Sequence, residues 1–169
     1  MPRTPLQALA FLLGVTIALF LSPFSGRADD GFDAKLAEHE SALYTEVNRV
    51  RARHQLIPLT RRPDFDRVAR AHSADMAQRG YFAHDSPEGT NPVDRLELAG
   101  LSGFTLAAEN LGRTDRHFPL REIVEGWLRS PDHRRNLLAP PFNTTGVGVA
   151  RAAGGALVYT QLYVTVPRH

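Results

Sequence analysis

The chain has 169 residues, with 20 basic and 18 acidic side chains, and it contains no cysteine. This length suits one domain with its own hydrophobic core. The lack of cysteine excludes a disulfide-stapled scaffold, thiol catalysis and a cysteine-based zinc site. No run of like charges and no basic stripe interleaved with aromatic residues indicates a nucleic-acid partner.

Residues 1–28 have the pattern of a secretory signal peptide. Arg3 precedes the apolar run Ala8–Leu21, and Gly26 and Ala28 occupy the −3 and −1 positions of a cleavage site. The run is short for a membrane span, so we expect cleavage, with an uncleaved anchor as the alternative. Cleavage would leave equal numbers of basic and acidic side chains and no transmembrane segment. The sequence therefore predicts an exported protein, either periplasmic or secreted.

Two helices are predicted in the first half of the mature chain. Residues 29–40 form a polar lead-in, in which Asp29–Lys35 is expected to be frayed. Apolar residues at helical spacing predict a helix from Leu36 to about His54, followed by an apolar connector that contains Pro58. A second amphipathic pattern predicts a helix over Asp64–Arg79, which Gly80 ends.

Two dipeptides of a capping residue and proline predict further helix starts. Asn91-Pro92 opens a short helix to about Ala99, and Ser130-Pro131 opens another to about Leu138. An apolar face predicts a helix over Pro119–Arg129. Between the helix that starts at Asn91-Pro92 and the helix over Pro119–Arg129, the segment Phe104–Ala108 predicts a strand that enters a turn at Glu109.

The C-terminal part predicts strands instead. Gly146–Ala150 and Ala156–Val164 are rich in small, β-branched and aromatic residues, and Gly154-Gly155 is typical of a two-residue hairpin turn. The order of helices first and a hairpin last indicates an α+β fold with helices packed on a small antiparallel sheet.

Two histidines lie in turn-rich segments, where an imidazole can bind a metal or relay a proton. If Ser130 is an N-cap, His133 occupies the third position of its helix, where the positive end of the helix dipole favours the neutral ring. His84 is followed by Asp85 and Glu88, either of which could orient the ring as a hydrogen-bond acceptor. In both cases the alternative is an exposed histidine with no ligand. His72 lies on the apolar stripe of its helix, which favours a packing role.

Acidic residues provide the remaining candidates. Glu109 could point into a cleft from the end of its strand, with Asn110 bonding backbone groups beside it. Glu122 and Glu125 have the spacing of solvated helix positions, although one of them could face the same cleft. The sequence contains no G-x-S-x-G or H-E-x-x-H motif, so local spacing alone gives little support for a hydrolase.

Seven sequence blocks in a fixed order are more specific together than any one of them. They are Val47–Arg51, Ala71–Ala77, Tyr81–His84 with Ser86-Pro87 and Gly89, Ala108–Leu111, Trp127–Asn136, Gly146–Gly148 and Tyr159–Gln161. These blocks resemble the bacterial branch of the CAP superfamily, which groups cysteine-rich secretory, antigen 5 and pathogenesis-related proteins. The resemblance covers about Leu43 to Val164 and assigns residues 41–169 to one CAP, or SCP-like, domain.

The resemblance implies an α-β-α sandwich and a cavity lined by two histidines and two glutamates, which in several members holds a divalent metal such as zinc. His84, Glu109 and His133 match three of these four residues. At the place of the second glutamate the chain has Ser130, whereas Glu122 and Glu125 come before Trp127. We therefore predict a metal set of His84, His133 and Glu109, surrounded by Asp85, Asn110 and Ser130, with the fourth cleft residue open.

Three functional hypotheses follow from these expectations. The first is an exported CAP-domain protein whose cleft binds zinc, another divalent metal or a small ligand, without catalysis. The second is a metal-assisted hydrolase of extracellular or envelope peptides, with Glu109 as general base. The third is a module that binds lipid or an extracellular protein, for which the apolar cluster Leu96, Leu98, Leu101 and Phe104 would line a groove, unless that cluster is ordinary core.

Overall fold

Five helices and four strands lie within residues 30–115 and 120–167, the part of the chain that this computed structural model describes. Side chains are described from residue 34 onward, and the predicted signal peptide lies outside the described residues. In these ranges no helix combines the length and apolar character needed to cross a membrane. The elements in chain order are α1 (Asp30–Arg53), β1 (Thr60–Arg61), α2 (Pro63–Arg79), α3 (Pro92–Leu98), β2 (Leu106–Thr114), α4 (Leu120–Arg129), α5 (Pro131–Leu138), β3 (Thr144–Arg151) and β4 (Leu157–Thr165).

The four strands form one sheet in the order β1-β3-β4-β2. The long strands β3, β4 and β2 pair in antiparallel fashion, and Glu109 on β2 lies opposite Leu162 on β4. The short strand β1 adds a parallel edge to β3, with Thr60 opposite Thr144. This parallel edge was not predicted, because a two-residue strand leaves no periodic pattern in the sequence. The predicted α+β fold with a small sheet between helices is confirmed.

Alternate residues of the sheet pack against two different helix layers. On one face, Val147, Val149 and Tyr159 join the core that α1, α4 and α5 cover. On the other face, Leu162 and Val164 pack with α2 and with Leu96 of α3. The domain is therefore a three-layer α-β-α sandwich, in which the sheet separates the core under α1, α4 and α5 from the apolar clusters that pack with α2.

Helix α2 lies unusually close to β3 because two residues of that strand have no side chain. A Cβ atom added to Gly146 would overlap the backbone of Phe65, and one added to Gly148 would overlap the backbone at Ala69 and Arg70. These neighbours are main-chain atoms of a helix, so they cannot move aside as a flexible side chain would. The close approach fixes the depth of α2, and with it the position of His72.

Buried Arg51 joins the end of α1 to the end of α5. Its guanidinium donates to the carbonyls of Leu137 (2.9 Å), Ala139 (3.1 Å) and Phe142 (3.0 Å), and its Nε donates to Ile57 O (3.1 Å). These acceptors include carbonyls at the C-terminal end of α5, which lack partners within the helix. Burial lowers the pKa of Arg51 from its ordinary value, although the group remains a cation because that value is so high.

Several predicted element boundaries differ from the structure. Helix α1 begins at Asp30, so Asp30–Lys35, which were expected to be frayed, are helical, and Leu36 packs against the core. Strand β2 runs from Leu106 to Thr114, which makes the predicted turn at Glu109 wrong. The hairpin between β3 and β4 has three residues, 153–155, between Ala152 and Ala156, and the Ala152 N–H donates to the Ala156 carbonyl (2.8 Å). Gly155 completes this longer turn with a φ of 85°.

The close packing of α2 on β3 gives a first prediction. We expect Gly148→Ala to lower the free energy of unfolding by about 3 kcal/mol, since the new methyl group can be accommodated only by displacing α2. Gly154→Ala is the matched control, because no heavy atom lies within 4 Å of the added Cβ, and its effect should stay within about 0.5 kcal/mol. Urea unfolding followed by circular dichroism measures both changes. Equal effects for the two variants would contradict the packing argument.

Candidate functional site

Glu109 is a fully buried carboxylate in the middle of β2, on the face that α2 and α3 cover. Its Oε1 lies 2.9 Å from Nδ1 of His84, and its Oε2 lies 2.9 Å from Nη2 of Arg95. A buried carboxylate is destabilising unless it is paired and hydrogen-bonded. Both oxygens of Glu109 therefore have partners, one from the loop after α2 and one from α3.

Arg95 connects this carboxylate to the loop that carries His84. Its Nη1 donates to the main-chain carbonyls of His84 (2.9 Å) and Thr90 (2.8 Å). The start of α3 is fixed by a capping box in which the Asn91 side chain accepts from the Asp94 N–H and the Asp94 carboxylate accepts from the Asn91 N–H. The capped helix holds the guanidinium in position, and the guanidinium in turn holds the His84 loop over Glu109.

His84 is half exposed, with 49% of its side chain accessible to solvent. The hydrogen bond to Glu109 raises the pKa of the His84 imidazole above its ordinary value, and partial burial opposes this rise. A ring whose Nδ1–H donates to a carboxylate leaves Nε2 available for another partner. His84 can therefore act as a cation or as a neutral acceptor at the mouth of the cleft.

His133 approaches His84 from the other side of β2. The two ring centroids are 6.3 Å apart, with 54° between the ring planes. Burial lowers the pKa of His133, and the neighbouring charge of His84 lowers it further. The direction agrees with the prediction from the helix start, although burial is the largest cause.

Side chains from α4 and α5 bond the outer edge of β2 and so place His133. The main-chain carbonyl of Glu109 accepts from Asn136 Nδ2 (3.2 Å), and that of Leu111 accepts from Trp127 Nε1 (2.7 Å). Asn110 Nδ2 donates to the carbonyl of His133 (2.9 Å). Because an edge strand otherwise presents unpaired carbonyls, these bonds position both helices against the strand that carries Glu109.

A groove of about 460 Å³ runs between β2 and α4 and reaches His133. We call it the α4 groove. A larger cavity of about 590 Å³, between α1, α2 and β3, contains none of the predicted site residues. The side chains that line the α4 groove include Phe82, Leu111, Arg113, Glu122, Trp127, Arg129 and His133.

Comparison with known proteins identifies the family to which this site belongs. The sequence model of CAP, described as the cysteine-rich secretory protein family, matches residues 44–163. The chain belongs to the CAP family. It is 30% identical over 131 residues to the uncharacterized Bacillus subtilis protein YkwD, a match that covers 78% of this chain and 49% of YkwD. A second match, 35% identical over 125 residues, covers 74% of this chain and 34% of the uncharacterized membrane protein YlbC from the same organism.

Solved structures agree with this assignment. An extracellular SCP-domain protein from Bacillus anthracis superposes with a TM-score of 0.71 at 34% identity, over 80% of this chain and 43% of that one. An outer surface protein from Borrelia burgdorferi gives 0.70 at 22% identity, over 77% and 94%, which supports the fold alone. The CAP domain thus spans about half the length, or less, of the two Bacillus subtilis relatives and of the Bacillus anthracis chain.

The other residues predicted for the CAP site have different positions. Asp85 is exposed, and its charge makes only a minor contribution to raising the His84 pKa. Ser130 is the N-cap of α5, although its side chain makes no capping hydrogen bond. Glu122 lines the α4 groove together with His133. Glu125 instead accepts from Arg121 Nε (2.8 Å) on the exposed side of α4.

Two residues of the site were not predicted from the sequence. Arg95 belongs to a helix in which the sequence marked only the cap and two leucines, and no local pattern marks the partner of a distant carboxylate. His72 was expected to pack, and it is buried, but its Nε2 also lies 3.7 Å from Oε1 of Glu109. Burial lowers the pKa of His72, and Nε2 bonds the Ala83 carbonyl at 3.1 Å. His72 is therefore a neutral neighbour of Glu109 and not its ion-pair partner.

The predicted zinc set can be compared with these contacts. His84 and His133 are close enough to act as a pair of imidazole ligands. Glu109, however, already accepts from both His84 and Arg95, and Arg95 places a positive charge beside it. Within residues 30–115 and 120–167, no group of three or more His, Cys, Asp or Glu side chains is arranged to hold a metal ion. Zinc in the cleft stays a prediction, and the three-ligand set does not fit the contacts.

The opposite pKa shifts of the two cleft histidines give a second prediction. The raised pKa of His84 contributes stability that is fully present below the unfolded value, near ~6.5, and is lost as the pH rises through the folded value. His84→Asn should therefore destabilise the protein more at about pH 5.5 than at about pH 8.5. Urea unfolding of wild type and variant at both pH values measures the difference.

His133→Asn is the control, because the pH dependence of its destabilisation should be the reverse of that for His84→Asn. The lowered pKa of His133 makes its protonation favour the unfolded chain as the pH falls through ~6.5. Replacing His133 should therefore cost less stability at the acidic pH than at the basic one. A destabilisation by His84→Asn that is the same at both pH values would show that Glu109 does not stabilise the His84 imidazolium.

Proposed function

We propose that this CAP domain is exported and that its cleft binds a small ligand that carries an anionic group. The observation that supports binding is the contact between His84 and His133, which come from separate elements, together with the α4 groove that His133 also lines. Export is supported by the predicted signal peptide and by the similar Bacillus anthracis protein, which is described as extracellular. The destination is then the periplasm or the medium.

The charges around the groove favour an anion. Arg113, Arg129 and His133 line it, with Glu122 as the acid among the lining residues. Arg95 offsets the charge of Glu109, so the buried carboxylate repels an approaching anion less than an unpaired one would. A hydrogen bond between an ionised ligand and a guanidinium or imidazolium is stronger than a neutral one.

The walls of the α4 groove favour a ligand that also has an apolar part. Leu111, Ile123 and Trp127 are buried apolar residues among those that line it. Phe82 also lines the groove and leaves 45% of its surface accessible to solvent, which is high for a large apolar side chain. A small amphiphilic anion would cover the exposed ring while its charged end bonds the cations. This combination fits the groove better than a purely polar ion does.

The contacts give less support to the other two hypotheses. Glu109 is a poor candidate for a general base, because both its oxygens are engaged and it has no accessible surface. In the apolar cluster, Leu96 is buried core, and Leu101 and Phe104 pack against that core. Only Leu98 of these four is largely exposed, which favours the interpretation as ordinary core. Peptide hydrolysis and lipid or protein binding through this cluster remain predictions without structural support.

Octanoate and octanol form a matched pair of probes for the proposed ligand class. We expect octanoate to bind at least about tenfold more tightly than octanol, because a charge-assisted hydrogen bond contributes roughly 1.5–3 kcal/mol. Isothermal titration calorimetry of the mature protein measures both affinities. Equal affinities for the acid and the alcohol would remove the anionic part of the proposal.

Two arginines on α4 supply the control. Arg129 lines the groove, whereas Arg121 is 82% exposed and pairs with Glu125 outside it. Arg129→Gln should reduce the preference for octanoate, and Arg121→Gln should leave it unchanged, although each variant removes one positive charge from the same helix. Equal losses in the two variants would indicate a general charge effect and would contradict binding in the α4 groove.

A further inference from the structure

We propose that Arg95 takes the place of a metal cation at Glu109, and that removing its charge converts the His84/Glu109/His133 cleft into a zinc site. The inference concerns the role of the buried carboxylate and goes beyond the proposed anionic ligand. It explains how this chain can keep two cleft histidines and a buried glutamate although the three do not form a ligand set.

Both carboxylate oxygens of Glu109 are already hydrogen-bonded. Zinc binds a carboxylate oxygen at about 2.0–2.2 Å. Oε2 of Glu109 instead lies 2.9 Å from a guanidinium nitrogen, and Oε1 lies 2.9 Å from His84 Nδ1. A zinc ion bonded to either oxygen would have to share one negative charge with Arg95 at close range. Like charges in a buried position repel strongly because the local dielectric is low.

The Arg95 side chain is held rigidly by burial and hydrogen bonds. Only 11% of its side chain is exposed, and the same guanidinium also donates to the carbonyls of His84 and Thr90. An arriving cation would therefore have to displace three hydrogen bonds and move a largely desolvated charge. A mobile surface arginine would offer little resistance, whereas Arg95 is held by the loop and by the capped helix α3.

Removal of the Arg95 charge would leave the other cleft residues in place. Glu109 would lose the guanidinium at Oε2, while His84 and His133 would still lie side by side next to the carboxylate. Neutral imidazoles and an ionised carboxylate are zinc ligands. A cation would then stabilise the buried carboxylate in the way that Arg95 does in the wild type.

Zinc titration of two variants at one position tests the proposal. Arg95→Gln removes the positive charge. Arg95→Lys keeps the charge, but lysine cannot reproduce the forked hydrogen bonds of the guanidinium. We expect Arg95→Gln to bind zinc at least about tenfold more tightly than wild type, and Arg95→Lys to remain close to wild type. The gain should disappear in Arg95→Gln combined with Glu109→Gln. No gain in Arg95→Gln, or an equal gain in Arg95→Lys, would overturn the proposal.

A measurement on the wild-type protein covers the case in which Arg95→Gln does not fold, which circular dichroism would reveal. In a crystal structure of wild type grown with zinc, we expect no Glu109 oxygen within about 2.2 Å of a zinc ion. A bond between zinc and Glu109 while Arg95 stays in place would overturn the proposal. Octanoate binding by the wild type is independent of either zinc result, so the two proposals fail separately.

Discussion

The pairing of buried Glu109 is the constraint on which the site depends. A carboxylate without solvent contact requires a charged or hydrogen-bonding partner, and here the partners are His84 from the loop before α3 and Arg95 from α3. Arg95 lies on α3 itself, and its bonds to the His84 and Thr90 carbonyls hold the preceding loop against β2. The loop geometry that exposes the ring of His84 is therefore a consequence of satisfying a charge in the core, and not of local turn preference alone.

A second requirement, at the edge of the sheet, brings the other histidine into place. The outer carbonyls of β2 accept from Trp127 and Asn136, and buried Arg51 bonds the carbonyls at the far end of α5. Helix α5 is thus held by Asn110 at the His133 carbonyl and by Arg51 near its C-terminal end, in addition to the core residue Leu137 that it buries. The cleft forms where the contacts of the Glu109 carboxylate, on one side of β2, meet the contacts of β2 with α4 and α5 on the other side.

Local signals in the sequence predicted most of the fold. Features that depend on contacts between distant residues left no local signal and were missed. Asn91-Pro92 and Ser130-Pro131 predict the starts of α3 and α5 because capping depends on neighbouring residues, and Gly80 ends α2 for the same reason. Strand β1 and the pairing of Arg95 with Glu109 depend on contacts with distant parts of the chain, so no spacing rule finds them. The family resemblance brought His84, Glu109 and His133 together, but it carried no information about Arg95, which changes the chemistry of the glutamate.

The charge balance of the cleft follows from that pairing. Arg95 and Glu109 together carry no net charge, yet the hydrogen bond from His84 to the same carboxylate still raises the pKa of the His84 imidazole. Protonation of His84 therefore gives the cleft a net positive charge, next to a neutral His133 and a groove with two arginines. A CAP cleft that held a metal would also present positive charge at this position. In this chain the positive charge comes from side chains, and it changes with pH because His84 is half exposed and can exchange its proton with solvent.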